Sequence, residues 1–100
     1  GTGYNLWSYD GVSDPVKVTS LNSMMGLSDL TVIGERLYFS SYPTSMESTP
    51  YYYMGSGDPV RIMYSENTLY NASGYTGFGN MICFSAYHCC PIHLKSQIKL

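Results

Sequence analysis

The sequence predicts an all-β chain of antiparallel hairpins that recur along its length. Three observations carry that prediction: composition, turn chemistry and internal repetition. Of 100 residues, 44% are apolar, 12% are charged and eleven are tyrosine. The charged share is about half of what soluble domains usually carry. Tyr and Thr suit a pleated, half-buried surface, while Ala, Glu and Lys, which favour helices, are sparse.

The first element, in "NLWSYDGVSDPVKV" (residues 5–18), reads as a hairpin. Leu6 and Trp7 favour a strand, Asp10-Gly11 supply turn chemistry with access to positive φ, and Val16 and Val18 alternate after Pro15. The next unit reads as four short strands. "LTVI" (30–33) meets residues 36–42 across Gly34-Glu35, a two-residue connection opening on Gly, as a type II′ turn requires. Residues 51–54 follow "STP", residues 55–59 turn the chain, and residues 60–64 return. Apolar side chains alternate at Leu30 and Val32, at Leu37 and Phe39, and at Val60 and Ile62, offering one face to a core.

Repetition links these elements. "GERLYFSSY" (34–42) lies over "GNMICFSAY" (79–87) with Gly34 on Gly79, Leu37 on Ile82, Phe39 on Phe84 and Tyr42 on Tyr87, 45 positions apart. "DPVKV" (14–18) lies over "DPVRI" (58–62), 44 positions apart. A period of roughly 40–45 residues is that of one four-stranded propeller blade. The fold class expected is therefore all-β, with antiparallel four-stranded propeller-like blades in about two repeats of 44–45 residues, part of a larger array. Residues 1–29 hold the end of a first unit and a connector, 30–74 a complete unit and connector, and 75–100 the start of a third with an atypical tail at 88–100. Within that tail Ile92, Leu94, Ile98 and Leu100 alternate with polar residues as a half-buried strand would. The expected packing residues are Trp7, Leu30, Val32, Leu37, Phe39, Ile62, Ile82 and Phe84. Two units are fewer than such arrays normally need to stand alone, so marginal stability is expected.

The hairpin bearing Leu6, Trp7, Asp10 and Gly11, followed by one bearing Leu30, Thr31, Gly34, Leu37, Tyr38 and Phe39, resembles secreted β-propeller-like repeat proteins. Their Leu-Trp-x-x-Asp-Gly and Leu-Thr-x-x-Gly-x-x-Leu-Tyr-Phe hairpins define ELWxxDGT or hyalin-type repeats. The resemblance covers residues 5–87 and implies a large extracellular or cell-surface protein without an assigned reaction. The second copy departs from the pattern: Tyr51 stands for Trp7, Met54 for Asp10 and Cys83 for Tyr38.

Candidate chemistry is thin. Cys83, His88, Cys89, Cys90 and His93 offer sulfur and nitrogen of the kind zinc prefers, but adjacent cysteines fit two tetrahedral corners poorly and no second Cys-x-x-Cys knuckle occurs. A strand cysteine is the simpler reading of Cys83, and no metal or cofactor is expected. No Gly-x-Ser-x-Gly elbow appears, and no acid is placed to orient His88 or His93, so no catalytic residue is expected. Asp10 and Asp14 read as turn residues and not as a calcium loop. "GSGDP" (55–59) lacks the lysine and following helix of a phosphate cradle. "NAS" makes Asn71 a glycosylation candidate on a eukaryotic secretory route.

A net charge of −2 with five scattered cations leaves no footprint for nucleic acid, and no apolar run spans a bilayer. The expected function is a non-catalytic extracellular or cell-surface repeat module. It would bind protein or carbohydrate through loops 42–50 and 65–74 and contact neighbouring repeat units. The alternative is a substrate-positioning propeller fragment of a larger secreted enzyme.

Overall fold

The computed structural model describes residues 3–43 and 47–88. Among the described residues it has strands and no helix, in three antiparallel sheets. The first pairs β1 (Trp7–Ser8) with β2 (Val16–Lys17). The second runs in order β3 (Leu27–Ile33), β4 (Arg36–Ser41), β5 (Thr49–Tyr53) and β6 (Val60–Arg61). The third holds β7 (Met63–Tyr64), β8 (Asn67–Phe78) and β9 (Met81–His88).

Turn chemistry works as the residues dictate. Gly34 takes φ +64°, while Glu35 does not enter the positive region, the pattern of a II′ turn, and Ile33 pairs with Arg36 on either side. Asp10 accepts backbone hydrogen bonds from Val12 and Ser13, both at 2.8 Å, and so closes the β1–β2 turn.

The periodicity reappears in the register. Ser28 pairs with Ser40, a bulge intervenes, and Thr31, Val32 and Ile33 then pair with Tyr38, Leu37 and Arg36. In the third sheet Ser73 pairs with Ser85, a bulge intervenes, and Thr76, Gly77 and Phe78 pair with Cys83, Ile82 and Met81. Every partner lies 45 positions after its counterpart. Positive φ recurs at the same spacing, at Gly26 and Asn71, Asp29 and Gly74, and Gly34 and Gly79. The other hairpin repeats at 44: Trp7 faces Lys17 as Tyr51 faces Arg61, and the Val18 amide bonds the Leu6 carbonyl as the Ile62 amide bonds that of Pro50, each at 2.9 Å.

The second sheet is covered on both faces. On one, Phe39 and Tyr51 are buried with Leu6 of the first hairpin, joined by Val18, Leu27, Leu37 and Tyr53. On the other, Tyr38 is buried with Ala72 and Tyr75 of β8, joined by Tyr52, Ile62, Ile82 and Phe84. Strand alternation sends neighbours Tyr38 and Phe39 to opposite clusters. The repeat extends to packing. Leu37, Phe39 and Val18 serve the first junction as Ile82, Phe84 and Ile62 serve the second.

Four expectations need correction. Trp7, Leu30 and Val32 are not core residues, being 60%, 53% and 72% exposed. The cluster built on Leu6, Phe39 and Tyr51 takes in Leu27 from β3 but not Leu30 or Val32, which face water. Trp7 has only β2 beside it in its sheet, whereas its counterpart Tyr51 has Phe39 on the adjoining strand. The fourth strand of the complete unit stops at Arg61, and Met63–Tyr64 joins the next sheet. Residues 67–74 are not a loop but the first part of β8, where register shifts and the positive φ of Asn71 and Gly74 fit a polar, Gly-containing run into a strand. Thr49 and Pro50 likewise belong to β5. The tail strand expected at 92–100 lies outside the described residues.

Candidate functional site

The best-built polar cluster sits between the second and third sheets. The Ser40 hydroxyl donates to the Ala72 carbonyl at 2.6 Å and lies 2.8 Å from the Tyr75 hydroxyl, which also reaches the Phe39 carbonyl at 3.1 Å. With one hydroxyl hydrogen on Ser40 committed to Ala72, the Tyr75 hydrogen serves Ser40 or Phe39. Burial pushes the Tyr75 phenol above its ordinary 10.0, opposed by the Ser40 hydrogen bond and reinforced by the Asp29 charge. Ser40 is fully buried and Tyr75 nearly so, and their polar atoms are consumed in joining sheets. This chemistry is structural.

A second feature is an open apolar groove of about 390 Å³ on the third sheet. Ile62, Leu69, Phe84 and Ala86 line it together with Met63 and Tyr64, and His88 and Tyr87 complete the lining at the end of β9. Phe84 and Ala86 share a strand face by alternation. His88 packs on the Tyr64 ring with centroids 4.9 Å apart. Apart from the imidazole and two phenols, the lining offers little beyond apolar surface, which suits an aromatic or aliphatic side chain.

The residues singled out from the sequence are dispersed. Cys83 is an exposed free thiol on β9, and His88 ends the same strand five positions later. The β9 side of the ladder carries no bulge between them, so they project from opposite faces. Cys89, Cys90 and His93 lie outside the described residues. Among the described residues no three His, Cys, Asp or Glu side chains cluster as a metal site would require. Asp10 is fully exposed, and the Val12 and Ser13 amides lower its carboxyl below 3.8. Asn71 is exposed in β8, with its backbone amide held by the Ser48 carbonyl at 2.7 Å. Residues 55–59 form the loop between β5 and β6. Of the expected binding loops, the described parts outside strands are residues 42–43, 47–48 and the 65–66 turn, and Glu47 accepts a hydrogen bond from the Tyr87 hydroxyl.

Sequence reasoning missed the groove and the Ser40–Tyr75 cluster. Ser40 had a signal: one position from Phe39, it must face away from that core and towards a neighbour. The groove had none, because it depends on which strand stands beside β9. No protein-family model, no curated protein and no solved structure matches the chain.

Proposed function

We propose that the chain is a non-catalytic interaction module of propeller-like repeats, of the type with Leu-Trp-x-x-Asp-Gly hairpins, displayed outside the cell or on its surface. The observation that carries this reading is the coincidence of register, bulge, positive φ and packing positions at a spacing of 44–45 residues. A unit that repeats its packing while changing its polar residues, Asp10 to Met54 and Tyr38 to Cys83, keeps a scaffold and not a per-unit reaction centre. Protein or carbohydrate ligands then meet exposed aromatics such as Tyr9, 64% exposed, and the turns between strands.

Tandem duplication of residues 30–74 tests the array. Because the inserted segment is one period long, both junctions recur unchanged, and the longer chain should melt at higher temperature than the original. An insertion that leaves the chain unfolded would end the repeat reading. Passage through a eukaryotic secretory route should add a glycan at Asn71 that is absent from Asn71→Gln. An oligosaccharide panel should show binding weakened by Tyr9→Ala if the ligand is a carbohydrate.

A further inference from the structure

A pair of tyrosines in the third sheet meets a carboxylate from another part of the chain. Tyr70 of β8 and Tyr87 of β9 stand directly opposite each other in the ladder, with ring centroids 5.8 Å apart and planes tilted by 38°. The Tyr87 hydroxyl donates to Glu47, 40 positions away in the segment that leads into β5. A separate backbone bond holds that segment in place: the amide of Asn71, the residue after Tyr70, donates to the Ser48 carbonyl at 2.7 Å. The bulge after Tyr70, where Asn71 takes φ +55°, leaves this amide outside the β8–β9 register.

The hydroxyls of Tyr51, Tyr75 and Tyr87 have partners of different kinds. Tyr51 accepts from the Arg61 guanidinium at 3.2 Å, and Tyr75 is buried against Ser40 and the Phe39 carbonyl. Tyr87 has a proton acceptor on its hydroxyl and an exposed ring. A phenol that loses an electron must also lose its proton, and a carboxylate already hydrogen-bonded to it takes that proton in the same step. We propose that Tyr87 is an oxidative cross-linking site: an oxidant of the haem-peroxidase class takes one electron from its ring while Glu47 takes the phenolic proton, and the phenoxyl radicals of two molecules couple. Only the setting, outside the cell where such an oxidant and hydrogen peroxide meet the chain, rests on the extracellular reading given above.

The new bond joins the ring carbons next to the two hydroxyls. Each radical has given one electron to the oxidant and one proton to Glu47. After coupling, the hydrogen on each joined carbon moves to its oxygen and restores the phenol. Two electrons and the two protons released by Glu47 reduce one hydrogen peroxide to two waters, so two chains and one peroxide give one dityrosine and two waters. Tyr70 is close to Tyr87 but is not the coupling partner. Directly opposite strand residues hold their Cβ atoms about 4.5–5.5 Å apart, less than two tyrosines joined ring carbon to ring carbon span. The second ring therefore comes from another molecule.

The 100-residue chain with Cys83, Cys89 and Cys90 replaced by Ser, which removes competing thiol chemistry, tests this with a haem peroxidase and hydrogen peroxide. A covalent dimer with dityrosine fluorescence should form, and mass spectrometry of its peptides should place the link at Tyr87 of both chains. Tyr87→Phe should lose most of that dimer, although Tyr4, Tyr9 and Tyr64 are more exposed. Glu47→Gln keeps an acceptor for the hydrogen bond but removes the base. It should slow dimer formation severalfold with unchanged far-ultraviolet circular dichroism, and Glu47→Asp should recover part of the rate. Links concentrated at Tyr4, Tyr9 or Tyr64, a link from Tyr70 to Tyr87 within one chain, or no dimer at all would each overturn the proposal. An unchanged rate in Glu47→Gln would overturn the part given to the carboxylate. Any of these results alongside a well-folded tandem duplication would leave the repeat reading standing.

Discussion

The Asp29 carboxylate accepts a hydrogen bond from the Gly74 backbone amide at 2.8 Å, although the two residues occupy the same position in successive hairpins, 45 residues apart. Both have positive φ, +61° and +73°, and both sit in the bulge that turns their strand. A thread that joins one unit to the next therefore runs between equivalent bulges. Replacing Asp29 by Ala removes the hydrogen bond and leaves a left-handed backbone without a polar side chain to favour it, a loss of about 1–2 kcal/mol. Asp29→Gly relieves the backbone and should come out close to neutral. Gly74→Ala should cost about 1–2 kcal/mol for conformational reasons alone, because nothing lies within 4 Å of an added Cβ. Urea unfolding of the three variants would establish that order.

Ser40→Ala should be the more damaging of the two changes at the hydroxyl cluster. It leaves the buried Ala72 carbonyl without the Ser40 donor and costs about 1–3 kcal/mol. Tyr75→Phe leaves the Ser40–Ala72 bond in place. The double variant should lose less than the two singles added, because both act on the same short contact. A double-mutant cycle with additive losses would mean that the hydroxyls are energetically independent.

Alkaline pH should weaken the fold through Tyr75. Its folded-state pKa lies above its unfolded value, so the neutral phenol is favoured by folding. The associated stability is complete below about the ordinary 10.0 and is lost as pH rises from there through the folded pKa. Tyr75→Phe should flatten stability between neutral pH and that window's upper end, relative to the parent chain. An identical alkaline fall in both would assign the loss to other groups.

Thr49 offers a gain. It is fully buried in β5, and its hydroxyl has no hydrogen-bond partner among the described residues. Val keeps the shape and the β-branched stem while removing the orphaned polar atom, so Thr49→Val should be neutral or raise stability by about 1 kcal/mol. In a domain of this size that corresponds to a melting shift of roughly 4–8 °C. A clear drop in melting temperature would show that the hydroxyl is satisfied in solution.

Local order was legible in the residues themselves. The Gly34 and Gly79 turns, the Asp10 cap and the alternation of Leu37 with Phe39 depend on φ preference, side-chain reach and the two-residue period of a strand. Each is set within a few positions of chain. The 45-residue match between residues 34–42 and 79–87 likewise led to the shared register.

What escaped was everything that depends on which strand stands beside which. Leu30, Val32 and Trp7 have the alternation of core residues, and no local feature separates them from Leu37 and Phe39. Their exposure is decided by a buried cluster that takes in Leu27, Leu37 and Phe39 but not Leu30 or Val32, and by the strand that adjoins β5 but has no counterpart beside β1 among the described residues. Residues 67–74 carry the Asn, Ser and Gly of a loop, yet paired positions on β9 hold them in a bulged strand. The sequence by itself determined the β1–β2 and β3–β4 hairpins, their turns and the period, because those follow from short-range backbone and side-chain preferences. Only the tertiary structure decided burial, the Ser40–Tyr75 contact and the groove beside Phe84, because each requires surfaces from separate sheets to meet or to be left uncovered.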